Sequence, residues 1–298
     1  MTSPTHPSAS ARIANSHIPE IRQQDVIIQH GADTLAGTLY LPQLGQRCPA
    51  VALVHGSGDD TREGYRVFAQ HFAERGIASL IYDKRGVGAS TGSWRSGTFA
   101  ELANDALVGV RLLAQRDEVD PHRVGLWGCS EGGWVIPLAA GGREVAFLVA
   151  ISAAGVSPAQ QEIYRRTLLV EAKDSRMGRA MGRARLRSMF GLLRTLPSGA
   201  LPGVAGYFAR TMDFDPAPIW RQVTQPVLLV YGAADAAVPP QQSADIIARA
   251  LQAAGNERNT ILVFPDADHG IQTLNPATQE RAFAPGYLDA VADWILAR

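Results

Sequence analysis

The sequence predicts an α/β fold built on a mostly parallel sheet, and three observations carry that prediction. Near-continuous apolar runs of strand length, at Pro49 to His55, Ile77 to Tyr82, Arg123 to Trp127, Val145 to Ile151, Pro226 to Gly232 and Thr260 to Phe264, are separated by segments of helical period. Such runs mark strands covered on both faces. Two of them close in glycine-rich turns, His55-Gly56-Ser57-Gly58 and Asp83-Lys84-Arg85-Gly86-Val87-Gly88-Ala89-Ser90. A third leads into Gly128-Cys129-Ser130-Glu131-Gly132, followed by the apolar helix start Trp134 to Ala140. Strands alternating with helices imply right-handed crossovers, with ligands at the carboxyl ends of the strands.

Taken in order, residues 1–21 begin rich in Ser, Thr, Pro and His without an apolar core of a signal peptide, and read as a disordered lead-in. Asp25 to His30 and Thr34 to Leu41 flank Gly31-Ala32-Asp33, the pattern of a hairpin of antiparallel edge strands. Glu63 to Arg75 and Phe99 to Arg116 carry helical spacing between the next strands. From Ser152 to Gln225 no strand pattern appears, so residues 153–225 are expected to form a helical cap inserted after the sixth strand, dividing a core of residues 22–152 and 226–298. The first half of the insertion carries Arg165, Arg166, Lys173, Arg176, Arg179, Arg183, Arg185, Arg187 and Arg194 against Glu162, Glu171 and Asp174. A solvated helix face accounts for that excess; an anion-attracting lid is the alternative. Ser243 to Ala254 and Ala284 to Ala297 supply the closing helices.

At 298 residues, 46% hydrophobic and 19% charged, the chain is long enough for one large core. Lys plus Arg and Asp plus Glu balance at 28 each, so nothing in the net charge points to nucleic acid or a membrane surface. No apolar run reaches the length of a membrane span. Two cysteines, Cys48 and Cys129, make no disulfide framework, and the expected setting is a reducing one, the cytoplasm. No metal constellation and no phosphate-binding loop appears, so no cofactor is implied.

The pattern Gly-x-Ser-x-Gly between strand and helix is a nucleophile elbow, in which glycines let the two backbones pass closely and the serine is exposed above the sheet. With His55-Gly56-Ser57-Gly58, Tyr82-Asp83-Lys84-Arg85-Gly86-Val87-Gly88 and Ser130-Glu131-Gly132-Gly133 in this order, the chain from about residue 22 onward resembles the α/β-hydrolase superfamily. Within it the chain is similar to serine esterases and acyl hydrolases related to dienelactone hydrolases and serine peptidases. The resemblance implies an eight-stranded, mostly parallel sheet and the chain order serine, acid, histidine. Ser130 is then the nucleophile. Of seven histidines only His269 follows both the serine and a candidate acid, and Asp235 is the carboxylate in the loop after the Pro226 to Gly232 strand. Asp266 and Asp268 stand too close to His269 to be the first choice. The oxyanion hole falls to the N–H of Glu131 and that of Ser57, with Gly58 as the alternative. His55 reads as structural, Asp83 and Arg85 as an ion pair bracing neighbouring loops, with substrate binding the alternative, and Cys129 as pointing into the scaffold. The Glu131 carboxylate is either a charge at a helix N-terminus or a chemical participant.

The expected activity is hydrolysis of carboxylic esters with short to medium acyl chains through an acyl-enzyme, the partner being a small-molecule ester. The same triad would serve a thioesterase or an aminopeptidase. A ligand-binding protein of this fold without turnover is the alternative of another class.

Overall fold

In a computed structural model of the chain, residues 18–171, 176–196 and 200–298 are described. The lead-in expected over residues 1–21 therefore lies outside them as far as residue 17. Eight strands form one sheet: β1 (Ile21–His30), β2 (Asp33–Pro42), β3 (Cys48–Val54), β4 (Ala78–Tyr82), β5 (Val119–Cys129), β6 (Leu148–Ile151), β7 (Val227–Gly232) and β8 (Asn259–Phe264). Their order is β1-β2-β4-β3-β5-β6-β7-β8. From β4 to β8 every pairing is parallel, while β1 and β2 run antiparallel. The hairpin is as expected, turning at Gly31 with φ 62°, but only β1 is an edge. The second hairpin strand pairs β4 on its other side, because Gly37 lets the Tyr82 end of β4 approach.

The sheet is covered on both faces, which is why its central strands read as unbroken apolar runs. On one side Ala50, Ala52 and Val54 of β3 pack with α2 (Phe99–Ala114), α3 (Gly132–Ala139) and α8 (Pro240–Ala253). On the other, Val51 and Leu53 pack with α1 (Arg66–Glu74) and α9 (Tyr287–Leu296). The period of two thus splits one strand between two cores. Helix α2 starts where Thr98 and Glu101 close a reciprocal capping box.

Between β6 and β7 the described residues contain four helices and no strand: α4 (Pro158–Glu171), α5 (Arg176–Thr195), α6 (Gly203–Thr211) and α7 (Ala217–Trp220). Phe190 and Leu186 of α5 bury against Ala159 of α4 and Met212. Arg165 and Arg166 pair with a mostly covered Glu162, and Arg194 pairs with Asp213 on the surface. Lys173 and Asp174 lie outside the described residues, as do the side chains of Glu171, Arg176, Arg179, Arg183 and Arg187. After β8 comes a short ribbon the sequence did not announce, β9 (Gln272–Leu274) against β10 (Arg281–Phe283).

His55, just past β3, is a core residue. It is 4% exposed, lies edge-on between Tyr65 and Tyr82, and places Nε2 2.5 Å from the Tyr82 carbonyl. Burial, reinforced by the nearby charge of Lys84, pushes its pKa down from 6.5 to about 3. The imidazole is neutral at neutral pH and structural, as the sequence suggested.

Two expectations follow. An alanine Cβ at Gly125 would lie 2.2 Å from the Phe147 ring, so Gly125→Ala should destabilise the fold by about 1–3 kcal/mol, the usual cost of overpacking, measured as a lower urea midpoint. The unfolded His55 takes up its proton near pH 6.5 and the folded one only near 3. Its stabilising contribution is therefore complete above pH 6.5 and is lost as pH falls through that window, at a limiting slope of about 1.4 kcal/mol per pH unit. In urea titrations His55→Gln should flatten the acid slope of stability, and equal slopes would remove His55 as its source.

Candidate active site

Strand β5 ends at Cys129 and α3 begins at Gly132, so two residues reverse the chain. Ser130 takes φ 54°, left-handed for a residue with a side chain, while its N–H still donates to the Ile151 carbonyl at 2.9 Å. A Cβ on Gly128 would lie 2.8 Å from the Gly132 carbonyl oxygen, and one on Gly132 would lie 2.9 Å from that of Val54. Both glycines are thus required by contact, and the serine is left half-buried at the sheet's carboxyl edge. Beside it, burial pushes the Cys129 thiol up to about 12, so it is a packed thiol and no thiolate.

Asp235 stands in the loop after β7 with its side chain fully buried. Its Oδ1 accepts the N–H groups of Ala237 at 2.7 Å and Val238 at 2.9 Å, and its Oδ2 lies 2.8 Å from Nδ1 of His269. An ionised carboxylate can only accept, so the proton sits on Nδ1 and Nε2 is left as an acceptor. Asp268 does other work: Oδ1 accepts the Gly270 and Gln272 amides at 2.9 and 3.1 Å and Oδ2 takes Arg281, which shapes the turn carrying the histidine. Asp266 is exposed.

The turn is anchored from behind by Ser152, a residue the sequence reading passed over. Fully buried at φ 48°, it donates its hydroxyl to the His269 carbonyl at 2.8 Å. Of the four non-glycine residues with positive φ among the described residues, three, Ser130, Ser152 and Ile271, gather here. Backbone strain of this kind, about 1–3 kcal/mol per residue, persists only where the surroundings impose it. Ser130 and His269 are therefore held on adjacent sides of the Ile151-Ser152 step. No hydrogen bond joins Ser130 Oγ to His269 among the described residues, and such bonds commonly close only around substrate.

The loop after β3 leans over the serine. A Cβ at Gly56 would lie 3.7 Å from Ser130 Cβ, and the Gly56 N–H is held by the Tyr65 hydroxyl, which in turn donates to Asp60. The N–H groups of Ser57 and Glu131 meet no acceptor among the described residues. The Glu131 carboxylate turns inward, 3% exposed, onto Lys84. Asp83 and Arg85 do brace loops, but not by pairing with each other: Asp83 accepts the Arg62 and Ala89 amides, while Arg85 reaches Asp33 and Asp105. Among the described residues no group of three or more His, Cys, Asp and Glu side chains is placed to hold a metal ion. No described helix is long and apolar enough to cross a membrane.

The chain is similar to known proteins in sequence and in fold. Esterase EstD of Thermotoga maritima is 28% identical over 93% of this chain and 68% of its own length. Quorum-quenching protein AidA of Acinetobacter baumannii is 31% identical over 37% of each chain. Among solved structures, the α/β hydrolase GrgF from Penicillium sp. sh18 superposes with a TM-score of 0.64 at 20% identity, covering 93% of this chain and all of its own. Est1E from Butyrivibrio proteoclasticus with ferulic acid bound gives 0.62 at 21% identity, over 91% and 96%. At those identities the structural likeness speaks for the fold. Residues 51–284 match the model of the alpha/beta hydrolase family, and the chain belongs to that family.

Proposed function

We propose that the protein is a serine hydrolase that cleaves carboxylic esters of short to medium acyl chains, with Ser130 as nucleophile, His269 as base and Asp235 as its orienting acid. The observation that carries this reading is the 2.8 Å contact from the buried Asp235 carboxylate to His269 Nδ1, beside a serine strained into an elbow. The esterase relative supports the substrate class. In this scheme Ser130 Oγ attacks the carbonyl carbon as His269 Nε2 takes its proton. The tetrahedral oxyanion is met by the N–H groups of Ser57 and Glu131, and the C–O bond breaks as His269 returns the proton to the alcohol. Water, deprotonated by His269, then releases the acid. The core is residues 22–152 and 226–298, with residues 153–225 as a cap; the Tyr164 hydroxyl of α4, 2.9 Å from the Asp235 carbonyl, supports that placement.

A fluorophosphonate should label the wild-type protein once, and Ser130→Ala should lose both the label and hydrolysis of p-nitrophenyl butyrate. Persistent labelling would sink the assignment. Turnover of an acyl-coenzyme A or an aminoacyl anilide well above that of the ester would move the substrate class to thioesters or peptides. Asp235→Asn should lower kcat by about three to four orders of magnitude, the scale of the same change in a serine-protease triad. Asp268→Asn should act mainly on stability; the reverse ranking would reassign the acid.

A further inference from the structure

Lys84 and Glu131 form an ion pair inside the protein, Nζ to Oε1 2.6 Å, with exposures of 2% and 3%. A buried pair of this kind gives little net stability, because the cost of removing two charges from water offsets their attraction. What it supplies is geometry. The Lys84 ammonium also donates to the Gly56 carbonyl at 2.8 Å, and that carbonyl shares its peptide unit with the Ser57 N–H. The described peptide bonds are all trans, so the C=O and N–H of this unit point in opposite directions. A cation fixed on the oxygen fixes the aim of the N–H and draws electron density away from it, which strengthens it as a donor. Glu131 closes the ring: its Oε2 accepts from Ser57 Oγ at 3.3 Å, and its own backbone carries the other candidate donor. The Trp94 ring lies 4.7 Å from the ammonium and restrains it further.

We propose that Lys84 is a positioning residue of the oxyanion hole, aiming and polarising the Ser57 N–H and, through Glu131, holding both donors in register with Ser130. The inference rests on the reading of Ser57 and Glu131 as the oxyanion donors. It differs from a structural role because it acts on the transition state alone.

The test removes both charges together, so that neither is left buried and unpaired. In Lys84→Met/Glu131→Gln, kcat per titrated active site should fall about 10- to 100-fold, short of the full loss of one donor, with KM within about threefold. Inhibition by a trifluoromethyl ketone, which forms the tetrahedral oxyanion, should weaken by the same factor as kcat/KM. Binding of the matching ether, which has no carbonyl, should hold. A folded variant with wild-type kcat and ketone affinity overturns the proposal. Should the pair variant not fold, Lys84→Arg decides, since it keeps a cation beside Glu131 and changes only the donor geometry toward the Gly56 carbonyl; the expected loss is about 3- to 10-fold, followed by the ketone, with an unchanged ketone affinity as the refutation. If the wild-type protein is not labelled at Ser130 by a fluorophosphonate, the hydrolase reading fails and takes this inference with it. If it is labelled and active while both variants match it, the Lys84 inference fails alone.

Discussion

The close crossing of α3 over β5 and β3 is the constraint on which the carboxyl edge of the sheet depends. Because Gly128 and Gly132 offer no Cβ, the helix starts within van der Waals contact of the strand carbonyls, and Ser130 is forced to φ 54°. That strain is small beside what holds it. Leu126, Trp127, Val135 and Ile136 on either side are at most 1% exposed, and each such side chain contributes about 1.5–3 kcal/mol of burial. The serine is thus seated by the core itself. The loops carrying His269 and Ser57 then need only local hydrogen bonds to find it.

Buried charge divides along the same line. Arg85, with Asp33, Asp105 and His30, ties the β1–β2 turn to the loop after β4 and to α2, partly in contact with solvent. Lys84, its neighbour in sequence, faces the other way and is fully enclosed with Glu131. The two networks differ in what a single change does. In the first, Asp105 is as enclosed as the Lys84 pair, but Arg85 also holds the more open Asp33, so loss of one carboxylate leaves the guanidinium paired. Stranding one charge of an enclosed pair costs about 3–5 kcal/mol. Position 84 therefore tolerates removal of its charge only when position 131 changes with it.

Much of this was legible in the chain, and the parts that were not share a reason. Unbroken apolar runs located the central strands, since burial on both faces leaves no other pattern, and the glycines of the elbow marked the helix crossing. The β9–β10 ribbon escaped because each strand is three residues long and largely exposed, with no alternation to detect. Calling both hairpin strands edges failed because the pairing of β2 with β4 is a long-range choice. Ser152 and Lys84 were missed for the same cause: a positive φ and an enclosed ion pair are properties of three-dimensional neighbours. The one sequence signal was available for Lys84, whose charge stands between a strand of fully buried residues and a glycine turn, where it must find a partner.

The stretch between β6 and β7 is joined directly to the loop that carries Asp235. Tyr164 of α4 donates to the Asp235 carbonyl, and Gln161 donates to the Ala237 carbonyl at 2.6 Å. Ala237 is also one of the two residues whose amides hold the Asp235 carboxylate. Just upstream, Ser152 holds the carbonyl of His269. One continuous run of chain, from the end of β6 into the first turns of α4, therefore touches both loops that present Asp235 and His269. Each neutral hydrogen bond contributes about 1 kcal/mol net, little enough to break under a displacement of α4 and enough to bias the loops while intact. A shift of α4 away from β7 would release the outer side of the Asp235 loop while the Ala237 and Val238 amides kept the carboxylate in place. The stiffness of the Asp235–His269 contact thus comes from the core side, and α4 adds a bias from outside it.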